Sequence, residues 1–259
     1  MALNENGSKK KKQGLIFKWV IPLFIKPAKT TQEIGAQEKP VWLTPLLILS
    51  VLALLAVVIA APVQRQVIQM GTNMPPDFQY YSPEQQDQFY QAQANQTSPL
   101  FLYVFPALSG LLKIWVPWFL LSIILYLALT LAGSRVSSTR SYNLVGWSML
   151  PFAIRTLVQI GVMLFSRSIV SAPGLAGFID SEATGGGAYF RSLLGFIDIY
   201  FIFQVILLIL GAVKLSGLTR TKAVVATLVS VILLLFLAAI PGLLSSALGG
   251  LSFTGGFYF

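Results

Sequence analysis

The chain has 259 residues, of which 55% are hydrophobic and only 10% are charged, and its mean hydropathy is +0.74. Because soluble domains carry about 25% charged residues, this composition excludes an ordinary soluble enzyme, a disordered regulator and a disulfide-bonded secreted module. The chain contains no Cys and no His, which excludes thiol catalysis, Ser-His-Asp triads and the usual zinc, haem and iron–sulfur sites. We therefore expect an all-α, polytopic membrane helix bundle without a cofactor.

The N-terminal segment, residues 1–40, is basic and partly apolar. Its apolar stretch resembles a signal peptide, but Lys18, Pro22 and Lys26 interrupt it. We expect an interfacial segment whose apolar side chains lie among lipid headgroups and whose cations bind anionic lipid. The apolar members are Leu15, Phe17, Trp19, Phe24 and Ile25, and the predicted headgroup contacts are Lys9, Lys10, Lys11, Lys12, Lys18, Trp19 and Lys26. A compatible alternative is that the four consecutive lysines only set the topology.

Five apolar stretches follow, and each is long enough to cross a bilayer. A helix rises 1.5 Å per residue, so about 20 residues cross a hydrocarbon core of about 30 Å. The predicted spans are residues 42–63, 105–131, 145–165, 192–213 and 223–245. They form a five-helix membrane domain over residues 41–246, with an external loop at 64–100 and an external tail at 247–259.

The external loop contains a helix signal. Ser82 precedes Pro83 and is followed three residues later by Gln85, which is the pattern of a capping box with proline at the first helical position. We expect a short helix through about Ala94. Its aromatic residues could form a docking surface, or the helix could lie back on the outer end of the bundle; these residues are Tyr80, Tyr81, Phe89 and Tyr90.

The basic residues predict the orientation. Three lie on the side of the external loops, Arg65, Arg167 and Arg191. Thirteen lie on the other side: Lys9, Lys10, Lys11, Lys12, Lys18, Lys26, Lys29, Lys39, Arg135, Arg140, Lys214, Arg220 and Lys222. Since Lys and Arg accumulate on the cytoplasmic side of spans, we expect a cytoplasmic N-terminus, an external C-terminus and residence in the cell's inner (plasma) membrane.

Charged residues inside the spans require an explanation, because each costs several kcal/mol unless it is paired. Arg155 lies about 15 Å from the inner surface and Asp198 about 21 Å from it. The offset of about 6 Å is within the reach of an arginine side chain, so we predict an Arg155–Asp198 pair. The predicted intramembrane polar cluster also contains Lys113, a competing partner for Asp198, and two further polar contacts, Gln159 and Gln204. The pair could fix the helix register, or it could belong to an ion or substrate path.

Three stretches carry a family resemblance. Phe24–Ile34 (FIKPAKTTQEI) leads into Trp42–Leu47 (WLTPLL), Ser137–Pro151 reads SSTRSYNLVGWSMLP, and Leu210–Ala223 reads LGAVKLSGLTRTKA. Together they resemble the Yip1 domain family, from about Phe24 to Leu244. The resemblance implies a small five-span protein without known catalytic chemistry. Eukaryotic members are linked to Rab GTPases, and some bacterial members are thought to accompany MacB-type ABC exporters. The short basic segment before Phe24, in place of an acidic cytoplasmic domain, favours the prokaryotic branch.

The sequence leaves three hypotheses for the function. The first is a non-enzymatic accessory or scaffolding subunit that binds other membrane proteins, in a hetero-complex or a homo-oligomer, with no nucleic-acid partner. The second is a small transporter or channel that uses the Arg155–Asp198 site. The third is an intramembrane enzyme, for which the chain offers only Ser109 and Lys113, spaced i,i+4.

Overall fold

A computed structural model describes residues 15–71, 78–169, 174–179 and 185–247. Within these ranges the chain is helical and contains no strand, so the all-α prediction is confirmed. The helices are α1 (Val20–Ile25), α2 (Pro27–Gly35), α3 (Leu43–Gly71), α4 (Pro83–Gln96), α5 (Phe105–Leu131), α6 (Ser138–Ser148), α7 (Pro151–Ser166), α8 (Gly186–Gly195), α9 (Ile199–Leu215) and α10 (Arg220–Ala247). The predicted lysine run Lys9–Lys12 and the tail beyond Ala247 lie outside the described residues.

Four segments of the described chain are long and apolar enough to cross a bilayer: Leu43–Ile68, Leu100–Leu131, Ser138–Ser166 and Arg220–Pro241. The second begins with a π-helical turn, Leu100–Val104, that runs directly into α5. The third is interrupted just before Pro151, because proline removes a hydrogen-bond donor and disfavours helical backbone at the residue before it. These four segments overlap the first, second, third and fifth predicted spans.

The fourth predicted span, residues 192–213, is broken. Helices α8 and α9 meet at Phe196–Asp198 with a bend of 69°. The pair counts as a fifth span only if the two helices cross the membrane together. The segment is therefore not one continuous helix, because the Asp198 side chain caps the first turn of α9 and starts a new helix there.

The N-terminal segment packs into the protein core on one side. Trp19, Leu23, Ile34 and Val41 are all buried in the main hydrophobic cluster. The ring of Trp19 meets the ring of Trp147 edge-on at 5.5 Å, and its Nε1 donates to Glu33 at 3.1 Å. Because Trp19 is only 3% exposed, its predicted contact with headgroups is wrong: the packing against Trp147 takes its place.

Helix α2 runs alongside the last two-thirds of α9. Phe24, just before α2, packs on Phe203 with ring centroids 5.8 Å apart. At the other end of α2, a Cβ on Gly35 would lie 3.1 Å from Leu215. Since Phe203 and Leu215 are about 18 Å apart along α9, α1 and α2 form a hairpin that covers this part of the ninth helix. Phe24, predicted to lie among headgroups, thus contacts protein.

Close helix contacts hold the same end of the bundle together. Leu144 of α6 presses on Gly211 of α9, where a Cβ would overlap with the leucine side chain. Trp42 packs on Trp118 of α5 at 4.5 Å, and Gly146 leaves room for both rings. Small residues at helix crossings allow this approach of backbones in membrane bundles.

Helix α4 begins as predicted. The Ser82 N–H donates to Oε1 of Gln85 at 3.0 Å, and the Gln85 N–H donates to Oγ of Ser82 at 3.3 Å. This reciprocal pair is the capping box. The helix extends to Gln96. The ring of the buried Phe78 contacts the rings of Tyr81, Phe89 and Tyr90.

Candidate functional site

Arg155 and Asp198 lie in direct contact. Nε of Arg155 is 3.2 Å from Oδ2 of Asp198, and both side chains are mostly buried. The other oxygen, Oδ1, accepts the N–H of Phe201 at 2.8 Å and so caps α9. The carboxylate therefore lies between a guanidinium and the positive end of a helix dipole.

The backbone around the helix break is supported by a short neighbouring segment. Leu175 donates its N–H to the carbonyl of Ile197 at 3.2 Å. The adjacent Gly174 has a φ of +59°, and a Cβ there would come within 2.7 Å of the same carbonyl oxygen. Irregular backbone at membrane depth persists only where its polar groups find partners. The irregular backbone at the break is thus stabilised by a specific contact. Position 174 must be glycine, because its positive φ and the nearby carbonyl oxygen leave no room for a side chain.

The other predicted members of the polar cluster have different surroundings. Lys113 on α5 lies near enough to Arg155 for their like charges to repel each other. Gln204 is buried on α9, and Gln159 is partly buried one turn after Arg155 on α7. The described contacts of the Arg155–Asp198 pair include neither glutamine.

A second polar site, which the sequence did not reveal, holds the N-terminal hairpin in place. The buried Asn143 of α6 donates Nδ2 to the carbonyls of Gln37 and Lys39, and its Oδ1 accepts the N–H of Val41 at 2.7 Å. Trp147 donates Nε1 to the carbonyl of Val41 at 3.0 Å. A single asparagine in a polar stretch gives no periodic signal, so only the fold identifies it.

The remaining predicted headgroup contacts are cations at the protein surface. Lys18 lies over the ring of Trp19 at 4.7 Å from its centroid, and both Lys18 and Lys26 are exposed. Across the described residues there is no group of three acidic side chains that could hold a metal ion.

Comparison with known protein families shows which family the chain belongs to. The family model of the Yip1 domain matches residues 21–240, which is nearly the whole chain. The chain belongs to the Yip1 family. No curated protein and no solved structure matches it. The Yip1 family is a family of non-enzymatic membrane proteins, and the apolar helices agree with a multi-pass membrane protein.

Both polar sites lie inside the Yip1 domain of this chain. The matched region begins within α1 and ends in α10 at Ile240. It contains the Asn143 contacts, the Arg155–Asp198 pair and the Gly174 support of the helix break. The hairpin of α1 and α2 is therefore part of the domain and packs as its first element.

Proposed function

We propose that this Yip1-domain protein is a non-enzymatic accessory or scaffolding subunit of a membrane protein complex in the inner membrane. The observation that carries the proposal is the state of its charged pair: Asp198 is engaged by Arg155 and by the first turn of α9. Such a pair fixes how α7, α9 and the helix break fit together. It does not resemble a general acid–base site, which needs a group free to exchange a proton with a substrate.

The external α4 region is the surface that we assign to the partner. Its aromatic cluster around Phe78 gives it a rigid base, and Tyr80 at its edge is 79% exposed. Tyrosines of this kind are common in protein interfaces because they bury a large area at a small cost in side-chain entropy. A MacB-type ABC exporter is the candidate partner, on the strength of the family resemblance.

Purification in mild detergent tests the proposal. The tagged chain is recovered from native membranes, and co-purifying membrane proteins are identified and quantified against the bait. We expect stoichiometric recovery of one exporter, reduced at least fivefold by Tyr80→Ala and unchanged by Gln79→Ala, which alters an exposed neighbour. Recovery of the chain as a monomer from native membranes contradicts the proposal.

A small transporter or channel is the second candidate, because of the helix break itself. Discontinuous membrane helices often place the end of a half-helix at a substrate site, and α9 begins at the charged pair. Reconstituted vesicles provide the test. Solute flux that disappears with Asp198→Asn favours the transporter, and vesicles that pass no solute favour the accessory subunit.

A further inference from the structure

Helix α1 has apolar residues on two opposite faces. Trp19 and Leu23, spaced i,i+4, point into the core. Phe17, Ile21 and Ile25 also follow i,i+4 spacing, but they are 59%, 69% and 69% exposed. Since residues four apart lie on the same side of a helix, Ile21 and Ile25 face outward together, and the exposed Phe17 precedes the helix. We call these three residues the outer row of α1.

The outer row lies at the end of the bundle where the first span begins. The N–H of Ile16 donates to Oγ1 of Thr44 at 2.9 Å, which places the start of the row beside the first turn of α3. The Asn143 contacts hold the chain between α2 and α3 against α6. These hydrogen bonds attach the segment that carries the outer row to α3 and α6, so the position of the row relative to the bundle is fixed.

Cations accompany the outer row. Lys18, Lys26 and Lys29 are all exposed, and the only acidic residue among residues 15–35 is Glu33, which accepts from Nε1 of Trp19. Apolar side chains next to lysines are complementary to a lipid leaflet, because the acyl chains accept the apolar side chains and the anionic headgroups attract the lysines. A protein partner would need an apolar surface with acidic residues around it, in a chain whose other apolar helices already lie in lipid.

We propose that the outer row of α1 inserts into an anionic lipid leaflet, with Lys18, Lys26 and Lys29 at the headgroups. Trp19 has no part in this contact because it is buried against Trp147. The N-terminal hairpin then joins the bundle to the membrane surface: one face packs on helices, and the other binds lipid. This inference does not depend on the proposed role as an accessory subunit.

Site-specific fluorescence on the full chain tests the inference. Because the chain has no Cys, Ile21→Cys, Ile25→Cys and the control Gln32→Cys each give one labelling site for an environment-sensitive dye. The purified variants are reconstituted in vesicles of phosphatidylcholine alone or with one-third phosphatidylglycerol. Gln32 is an exposed polar residue of α2, so its dye reports the hairpin outside the outer row.

The expected result is a blue-shifted emission at positions 21 and 25, a larger shift with phosphatidylglycerol, and water-like emission at 32. The triple variant Lys18→Gln, Lys26→Gln, Lys29→Gln should remove the phosphatidylglycerol-dependent part and keep the protein folded, since all three lysines are exposed. Water-like emission at 21 and 25 in both vesicles overturns the inference. So does a blue shift that is equal in both lipid mixtures, because it leaves no role for anionic lipid.

Discussion

The carboxylate of Asp198 joins Arg155 of α7 to the first turn of α9: Oδ2 lies 3.2 Å from the guanidinium Nε, and Oδ1 accepts the Phe201 N–H at 2.8 Å. One side chain thus neutralises a cation and starts a helix. The contact therefore sets the position of α9 relative to α7. Different substitutions of Asp198 can remove the ion pair alone or the ion pair together with the helix cap.

Substitutions at Asp198 should destabilise the bundle in a defined order. Asp198→Asn keeps a capping residue but leaves Arg155 unpaired, which costs about 3–5 kcal/mol for a buried pair. Asp198→Ala also loses the cap, for about 1 kcal/mol more. Thermal unfolding in detergent, followed by tryptophan fluorescence, measures both. Stability of both variants equal to that of the unchanged protein would contradict the structural role of the pair.

Gly211 should tolerate no side chain. Gly211→Ala forces a Cβ into Leu144 and should cost about 1–3 kcal/mol through overpacking. Leu144→Val in the same chain should recover part of this cost by removing the overlapping carbon. The matched control is Gly161→Ala, where the added Cβ meets no atom within 4 Å and helix propensity favours alanine. Thermal unfolding of the unchanged protein and the three variants measures these differences in stability. An equal loss of stability in Gly211→Ala and Gly161→Ala would count against the α6–α9 contact.

Asn143→Ala should release the N-terminal hairpin. The substitution removes three hydrogen bonds and leaves the buried Val41 N–H without its acceptor, for about 3 kcal/mol in total. Hydrogen exchange of residues 36–41 should rise at least tenfold, while exchange in α10 stays unchanged. Asn95→Ala on α4 is the control. Protection of residues 36–41 in Asn143→Ala equal to that of the unchanged protein would refute the assignment.

The start of α4 should depend on pH. The backbone N–H of Glu84 and the Ser82 hydroxyl hold the pKa of the Glu84 carboxyl below its ordinary value. Since the folded pKa is the lower one, this stabilisation is present above the unfolded pKa of about 4.5 and is lost as the pH falls through the folded pKa. Carboxyl-carbon NMR should show the pKa of Glu84 rising in Ser82→Ala. An unchanged pKa would exclude the hydroxyl as a cause.

The sequence was sufficient where the determinants are local or periodic. The apolar stretches gave the helices, the Ser82–Gln85 spacing gave the capping box, and depth arithmetic brought Arg155 and Asp198 together. These inferences use only rise per residue, reach and capping chemistry. The functional roles drawn from them stay predictions.

The sequence was insufficient where a distant partner decides the outcome. Trp19 and Phe24 have the composition of an interfacial segment, but Trp19 is buried against Trp147 and Phe24 packs on Phe203. At the break before α9, the carbonyl of Ile197 accepts the N–H of Leu175, and Gly174 leaves the space for this approach. No periodicity within residues 192–213 encodes that contact.

The arrangement of the bundle in the membrane can be measured most directly by labelling single cysteines in the cysteine-free chain with a membrane-impermeant maleimide. The three positions are exposed residues: Gln32 on α2, Gln91 on α4 and Thr219 before α10. We predict labelling of Gln91→Cys in intact cells, and labelling of Gln32→Cys and Thr219→Cys only after the membrane is permeabilised. Labelling of Thr219→Cys in intact cells, or of Gln32→Cys from the same side as Gln91→Cys, would contradict a five-span bundle with its lysine-rich ends in the cytoplasm.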